Sequence, residues 1–100
     1  MEKKKSGKKI SKKPLKQWVE LSFYAPEAKG VYLVGEFNDW NRKSHPMKKN
    51  KEGIWKKRIK LFPGRYEYKL IVDGEWFQHI PGTEWVTNPF GTQNCVLYVK

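Results

Sequence analysis

Apolar and polar residues alternate along most of this chain, and the alternation predicts short strands. Val19, Leu21 and Phe23 are separated by polar residues, which is the period of a half-buried strand. Similar patterns, with turn signals about every ten residues, predict further strands at 31–34, weakly around Met47, and at 55–61, 66–72, 76–79 and 94–99. No long window carries a helical period with caps, so the pattern is that of an all-β protein.

About seven short strands after residue 17 are typical of a small antiparallel β-sandwich of immunoglobulin-like size. A five-stranded barrel of the oligonucleotide-binding type is the alternative that the pattern leaves open. We therefore expect residues 17–100 to form one module and residues 1–16 to form a separate tail.

The dipeptide Asp73-Gly74 is the strongest hairpin signal in the chain. A two-residue turn there would pair Ile71 with Trp76 and Leu70 with Phe77, and paired residues share a face. One face then resembles core, whereas Trp76 lies on the polar face, diagonal to Lys69. A large aromatic side chain on a polar face indicates contact with a ligand. Trp76 would not be exposed if a loop of residues 79–93 covered it, or if a one-residue shift of register turned it to the other face.

A second candidate contact residue, Trp40, lies among turn-forming residues in the segment 35–41. We expect Phe37 to anchor this loop in the core, which would leave Trp40 at the surface. Trp18 and Trp55 stand near predicted strand starts and are expected in the core or at its rim. Trp85 falls in the predicted long loop, where the sequence is compatible with either a buried or an exposed side chain.

The net charge of +11 is concentrated at the start of the chain. Residues 1–16 hold eight lysines and one acid, with too few apolar residues to offset the entropy of ordering them. We expect a flexible arm that solubilises the protein or makes weak contacts with nucleic acid or an anionic surface. Lysines together with aromatic residues also suit single-stranded nucleic-acid binding, which is a rival function.

Several other classes of protein are disfavoured by the sequence. It has no long apolar run and no secretory signal, so we expect a cytoplasmic protein without membrane insertion. The single cysteine, Cys95, rules out an internal disulfide, and His45 and His79 have no clustered partners for a metal site. No catalytic or cofactor-binding motif is recognisable, and hence we expect neither an enzyme nor a cofactor.

Four motifs follow one another along the chain: Val31–Trp40, Pro63–Lys69, Val72–Trp76 and Asn88–Asn94. In this order they resemble carbohydrate-binding module family 48, which includes glycogen-binding modules of AMP-activated protein kinase β subunits and N-terminal domains of isoamylases and branching enzymes. The resemblance covers essentially residues 18–99. It departs from the kinase module at Phe90, where that module has leucine, and in the segment 77–87, which differs in length.

The resemblance implies a non-catalytic β-sandwich that binds α-1,4-linked glucans. It places the two stacking tryptophans of the family on Trp40 and Trp76 and its sugar-contacting lysine on Lys69. It also implies contacts from the C-terminal residues Phe90, Thr92 and Asn94. The proximity of Lys69 and Trp76 follows independently from the hairpin pairing. A sandwich that has lost sugar binding and contacts proteins instead is the remaining alternative.

Overall fold

The computed structural model describes residues 15–100, so the predicted tail lies almost entirely outside the described residues. The eight strands are β1 Gln17–Tyr24, β2 Val31–Gly35, β3 Lys48–Lys49, β4 Ile54–Leu61, β5 Gly64–Val72, β6 Glu75–Phe77, β7 Glu84–Thr87 and β8 Gln93–Val99. Within residues 15–100 the helical part is the 3₁₀ turn Glu36–Asn38, which is far too short to cross a membrane.

The strands form two antiparallel sheets, which confirms the predicted sandwich and not the barrel. The three-stranded sheet has the order β1-β4-β3. In the five-stranded sheet the order is β2-β5-β8-β7, and β6 also pairs with β5. Two strands share the same side of β5: β8 pairs with residues 64–68 of β5, and β6 pairs with residues 70–72. The site described below lies on the outer face of this sheet.

The core lies between the inward faces of the two sheets. Trp55, Ile59 and Leu61 of β4 meet Leu33 and Leu70 of the five-stranded sheet in one buried cluster. Phe23 of β1 and Phe77 of β6 pack between the sheets with ring centroids 5.2 Å apart. Such a tilted aromatic pair contributes about 1 kcal/mol beyond its buried area. The faces assigned from period-two alternation are therefore confirmed.

The hairpin between β5 and β6 has the predicted register, with Ile71 opposite Trp76. Asp73 and Gly74 have φ values of 50° and 86°, the left-handed pair that a type I′ turn requires. The Asp73 carboxylate also accepts hydrogen bonds from the backbone N–H groups of Lys29 and Gly30, at 2.7 and 2.9 Å. One aspartate therefore shapes this turn and ties the 25–30 loop to it.

Two expectations are corrected by the structure, and a third, the weak strand around Met47, is confirmed. The segment 79–93 is not one long loop, because β7 forms within it and pairs along β8. Trp18 does not enter the core but lies exposed on the outer face of the three-stranded sheet, whereas Trp55 is buried as expected. Near Met47 the strand is only Lys48–Lys49, since the preceding backbone crosses to bond β2, with Met47 N–H donating to Val31 O at 2.8 Å.

The two ends of the sandwich meet. Gln17, at the start of β1, donates a hydrogen bond from Nε2 to the backbone oxygen of Lys100 at 2.8 Å. These residues are far apart in the sequence, yet they lie side by side at one edge of the molecule.

Candidate functional site

An open groove of about 570 Å³ runs across the outer face of the five-stranded sheet. All six residues predicted as ligand contacts line it, although they come from three separate segments of the chain. The lining residues are Trp40, Arg42, Glu67, Lys69, Trp76, Asn88, Pro89, Phe90, Thr92 and Asn94. The fold therefore gathers the predicted contact residues into a single site.

Trp76 is held on β6 with 44% of its surface exposed. Its cross-strand partner Ile71 is buried on the same face, so the indole rests beside an apolar neighbour. Two cations lie near the ring, with Lys69 Nζ 5.5 Å and Arg42 Cζ 5.1 Å from its centroid. The predicted proximity of Lys69 and Trp76 is confirmed, and the segment 79–93 leaves the indole accessible.

Trp40 reaches the groove through an unusual backbone path. Asp39 and Trp40 both have left-handed backbones, with φ values of 54° and 59°, which is costly for a tryptophan. The Asn38 side chain fixes this path, because Oδ1 accepts from Gly35 N–H and Nδ2 donates to Leu33 O. Phe37 packs against the core as expected. These contacts leave the indole 37% exposed at the groove wall.

Gly35 allows this loop to lie close to β5. A Cβ atom added there would be 2.6 Å from Tyr68 Cβ and 2.7 Å from the backbone oxygen of Glu67. Both atoms belong to a strand in the middle of the sheet and cannot move easily. A residue without a side chain is therefore required where the chain leaves β2 toward Trp40.

The loop of residues 88–92 presents Phe90 to solvent, with 90% of its surface exposed. Asn88 Oδ1 accepts hydrogen bonds from the N–H groups of Phe90 and Thr92, at 3.0 and 3.1 Å. Gly91 adopts a φ of 84°, which completes the tight turn. The turn thus holds an apolar ring at the rim of the groove without burying it in the protein.

A chain of polar side chains forms the wall between Lys69 and β8. Thr92 Oγ1 accepts from Lys69 Nζ at 3.0 Å and from Asn88 Nδ2 at 2.7 Å. Asn94 is only 4% exposed, and it accepts from Asn88 and donates to Glu67 Oε1 at 2.8 Å. Asn94 thus holds its neighbours in place, whereas Thr92 and Lys69 keep more polar surface toward the groove.

Glu67 is the acidic residue of the groove. The hydrogen bond from Asn94, together with the one from Arg65 Nη1 at 2.9 Å, lowers the pKa of the Glu67 carboxyl against the opposing effect of burial. The residue is therefore an anion near neutral pH, available as a hydrogen-bond acceptor. Its backbone N–H is also fixed, because it donates to Glu36 Oε1 at 2.8 Å.

Four residues of the groove were not predicted: Arg42, Glu67, Asn88 and Pro89. Glu67 was within reach of sequence reasoning, because it precedes Lys69 by one strand period and shares its face. Asn88 and Pro89 lie in the fourth segment that resembles the family, but the resemblance implied contacts only from Phe90, Thr92 and Asn94 of that segment. Arg42 follows Trp40 in an irregular loop, where no periodicity assigns a direction to a side chain.

Trp85, whose environment the sequence left open, does not line the groove. Its ring lies against His79 with centroids 4.6 Å apart, and His79 Nε2 is 3.0 Å from Gln93 Oε1.

Among residues 15–100, no group of three or more histidine, cysteine, aspartate or glutamate side chains is arranged to hold a metal ion. Cys95 is fully buried, with its thiol donating to the backbone oxygen of Gln78.

The groove and the fold agree with the comparison to known families. The model of carbohydrate-binding module 48, the isoamylase N-terminal domain, matches residues 7–91. This chain belongs to carbohydrate-binding module family 48. The match begins within the predicted tail, so the boundary at residues 16 and 17 stays a prediction. It covers Trp40, Lys69, Trp76 and Phe90 and ends just before Thr92.

This family-48 module is similar to segments of a branching enzyme, a protein kinase subunit and a chloroplastic protein. The chain is 34% identical over 76 residues to the 1,4-alpha-glucan branching enzyme GlgB of Deinococcus radiodurans, covering 76% of the chain and 10% of that protein. It is 35% identical over 72 residues to 5'-AMP-activated protein kinase subunit beta-2 of Homo sapiens, covering 72% and 25% respectively. For PTST homolog 2, chloroplastic, of Arabidopsis thaliana, the identity is 45% over 49 residues, covering 49% and 9%. The module spans a quarter or less of each of these three relatives.

Proposed function

We propose that this module binds α-1,4-linked glucan chains in the groove without cleaving them. The observation that carries the proposal is that two exposed indoles, Trp40 and Trp76, line one groove together with a connected set of polar side chains. Membership of a carbohydrate-binding family supports a sugar ligand. The relative named as a 1,4-alpha-glucan branching enzyme supports this class of glucan.

Indole rings suit a sugar because a glucose unit has apolar C–H faces and a polar rim. An indole is flat and rigid, so it loses little rotamer freedom when it contacts such a face. Stacking that buries about 100 Å² of apolar surface contributes about 2.5 kcal/mol for each ring. Two rings with a few hydrogen bonds correspond to dissociation constants of roughly millimolar to micromolar after association costs. Phe90 would add a third apolar contact at the rim.

The polar wall complements sugar hydroxyls, which both donate and accept hydrogen bonds. Lys69 can donate and Glu67 can accept, and the Thr92 hydroxyl, which already accepts two hydrogen bonds, can donate its proton. Because Asn88 and Asn94 already connect these groups, the wall loses little freedom when a ligand binds. On a polymer with many equivalent sites, a weak groove still localises the protein.

The chemistry of the groove favours binding over hydrolysis. A glycosidase needs two carboxyl groups flanking the bond, one of them with a raised pKa. Glu67 is the one carboxylate among the residues that line the groove, and its pKa is lowered. A lowered pKa keeps the group deprotonated and therefore unable to act as the general acid.

Affinity electrophoresis in gels with and without glycogen tests the proposal. We expect glycogen to retard the wild-type protein, and Trp76→Ala or Trp40→Ala to lose most of the retardation. Trp18→Ala is the matched control, because Trp18 is also exposed but lies on the other sheet. Its retardation should equal that of the wild type. Since the ligand is neutral, the result should be nearly the same at low and high salt.

Two outcomes would contradict the proposal. If glycogen does not retard the wild type, the module does not bind this glucan, and a protein-interaction role becomes the better interpretation. If retardation persists in the variant lacking both Trp40 and Trp76, the groove is not the binding site. Binding to single-stranded nucleic acid that falls steeply with salt and does not need the groove would favour the nucleic-acid alternative.

A further inference from the structure

The outer face of the three-stranded sheet carries a cluster of cations on the opposite side of the sandwich from the groove. We call this surface the basic face; it consists of Lys48, Lys56, Arg58 and Lys60 with Trp18 and Glu20. Alternate residues of β4 point away from the core, so Lys56, Arg58 and Lys60 are all exposed there. Lys48 of β3 continues the row across the sheet.

The charges on the basic face are arranged unfavourably for folding. Lys48 lies directly opposite Lys56, and like charges in such cross-strand pairs destabilise a sheet. Glu20 lies opposite Arg58, but within residues 15–100 no ion pair forms on this face. A shallow cavity of about 330 Å³ opens between these side chains, with Lys57 and Pro46 at its border. An anionic ligand would remove the repulsion that the fold leaves in place.

Trp18 indicates which kind of anion fits. Arg58 Cζ lies 4.5 Å and Lys60 Nζ 5.5 Å from the centroid of its ring. Stacking orients the planar guanidinium, whose fork of donors matches a carboxylate or a phosphate, and base stacking on Trp18 decides between a peptide and a nucleic acid. Arg58 lies closer to the Trp18 ring than either cation lies to the Trp76 ring, so a nucleic-acid base could stack on Trp18 only by displacing the guanidinium. Carboxylate recognition is therefore favoured over single-stranded nucleic acid.

The spacing of the cations points to an extended ligand. Lys56, Arg58 and Lys60 follow one another at two-residue intervals, about 6.6 Å apart along the strand. Side chains on one face of an extended polypeptide repeat at the same interval. We propose that the basic face binds an acidic polypeptide segment in an extended conformation. Because the two surfaces lie on opposite sides, the module would hold a glucan and an acidic partner at the same time.

Titration of the full chain with a short poly-glutamate peptide, followed by backbone amide NMR shifts, tests this proposal. We expect shifts along β1, β3 and β4, and simultaneous loss of the two charges in Lys56→Gln/Arg58→Gln should weaken binding about tenfold. The control Lys29→Gln/Lys100→Gln removes the same charge from exposed positions off this face. It should bind the peptide nearly as tightly as the wild type.

Glycogen retardation of the same variants is measured in parallel, since it does not depend on the basic face. Retardation equal to that of the wild type shows that Lys56→Gln/Arg58→Gln is folded, and a dispersed amide spectrum shows this independently if glycogen does not bind. Peptide shifts confined to residues 1–16 would overturn the proposal, as would equal weakening in both variants. Tighter binding of oligodeoxythymidylate than of poly-glutamate on this face would replace it with nucleic-acid binding.

Discussion

Trp40 illustrates how single residues decide the shape of the groove. Its indole can serve as a ligand platform only because Gly35 lets the chain turn closely over β5 and Asn38 fixes the left-handed backbone that follows. The exposure of Trp40 could be predicted from the polar residues around it. Its direction could not, because a strained backbone is sustained by hydrogen bonds that no periodicity reveals.

Replacing Gly35 by alanine should destabilise the protein strongly. The new Cβ would meet Tyr68 Cβ and the Glu67 carbonyl at less than 3 Å, so a central strand would have to shift. We expect a loss of more than about 2 kcal/mol in the free energy of unfolding, measured with urea. Gly30→Ala is the matched control, since nothing lies within 4 Å of the place its methyl group would occupy and its stability should change by less than about 0.5 kcal/mol.

Among the individual elements, the β5–β6 hairpin was the most predictable and β7 the least. The hairpin register followed from Asp73-Gly74 and the alternation around it, and this register places Trp76 beside Lys69. Strand β7 has only four residues between turn signals and occupies the edge of its sheet. Its pairing depends on β8, and such a contact across the fold leaves little local pattern in the sequence.

The stability of the hairpin should depend on pH through Asp73. Hydrogen bonds from the backbone of Lys29 and Gly30 lower the pKa of this carboxyl in the folded state. A lowered folded pKa stabilises the protein above the unfolded value of about 4, and the contribution is lost as pH falls through the folded pKa. Asp73→Asn should therefore be less stable than the wild type at pH 7.

The comparison is made by urea unfolding of both proteins from neutral to acidic pH. Asparagine tolerates the left-handed turn, so the variant isolates the charge from the backbone conformation. The difference between the two proteins should shrink below pH of about 4. A difference that stays constant over this range would show that the carboxylate charge does not contribute.

At the scale of the whole molecule, the all-β class, the sandwich and six of the ten residues that line the groove could be predicted. Strands and turns can be predicted because their residue patterns lie within short stretches of the sequence. The groove contacts that these patterns did not indicate were implied by the family resemblance. The basic face was not predicted, although Lys56, Arg58 and Lys60 alternate with less exposed residues along β4. Their alignment with Lys48 and Trp18 requires the strand pairing itself. The cytoplasmic location stays a prediction.

Cys95 offers a measure of opening of the entire sandwich. It is fully buried, burial raises the pKa of its thiol, and reaction requires an exposed thiolate. Labelling by a thiol reagent should therefore proceed through unfolding. If glucan binds the native state, a maltooligosaccharide at ten times its dissociation constant should slow labelling about tenfold. Trp76→Ala should abolish this slowing, whereas unchanged labelling of the wild type would contradict native-state binding.

The meeting of Gln17 with Lys100 has a consequence for how the sandwich can be connected. Because both ends lie at one edge, a short peptide could join them, and new ends could be opened at the turn of residues 50–53. Such a circular permutant would keep every segment that builds the groove. Because Gln17 and Lys100 are close together, the module could also be inserted into a surface loop of a host protein, with both connections at the same place on the host.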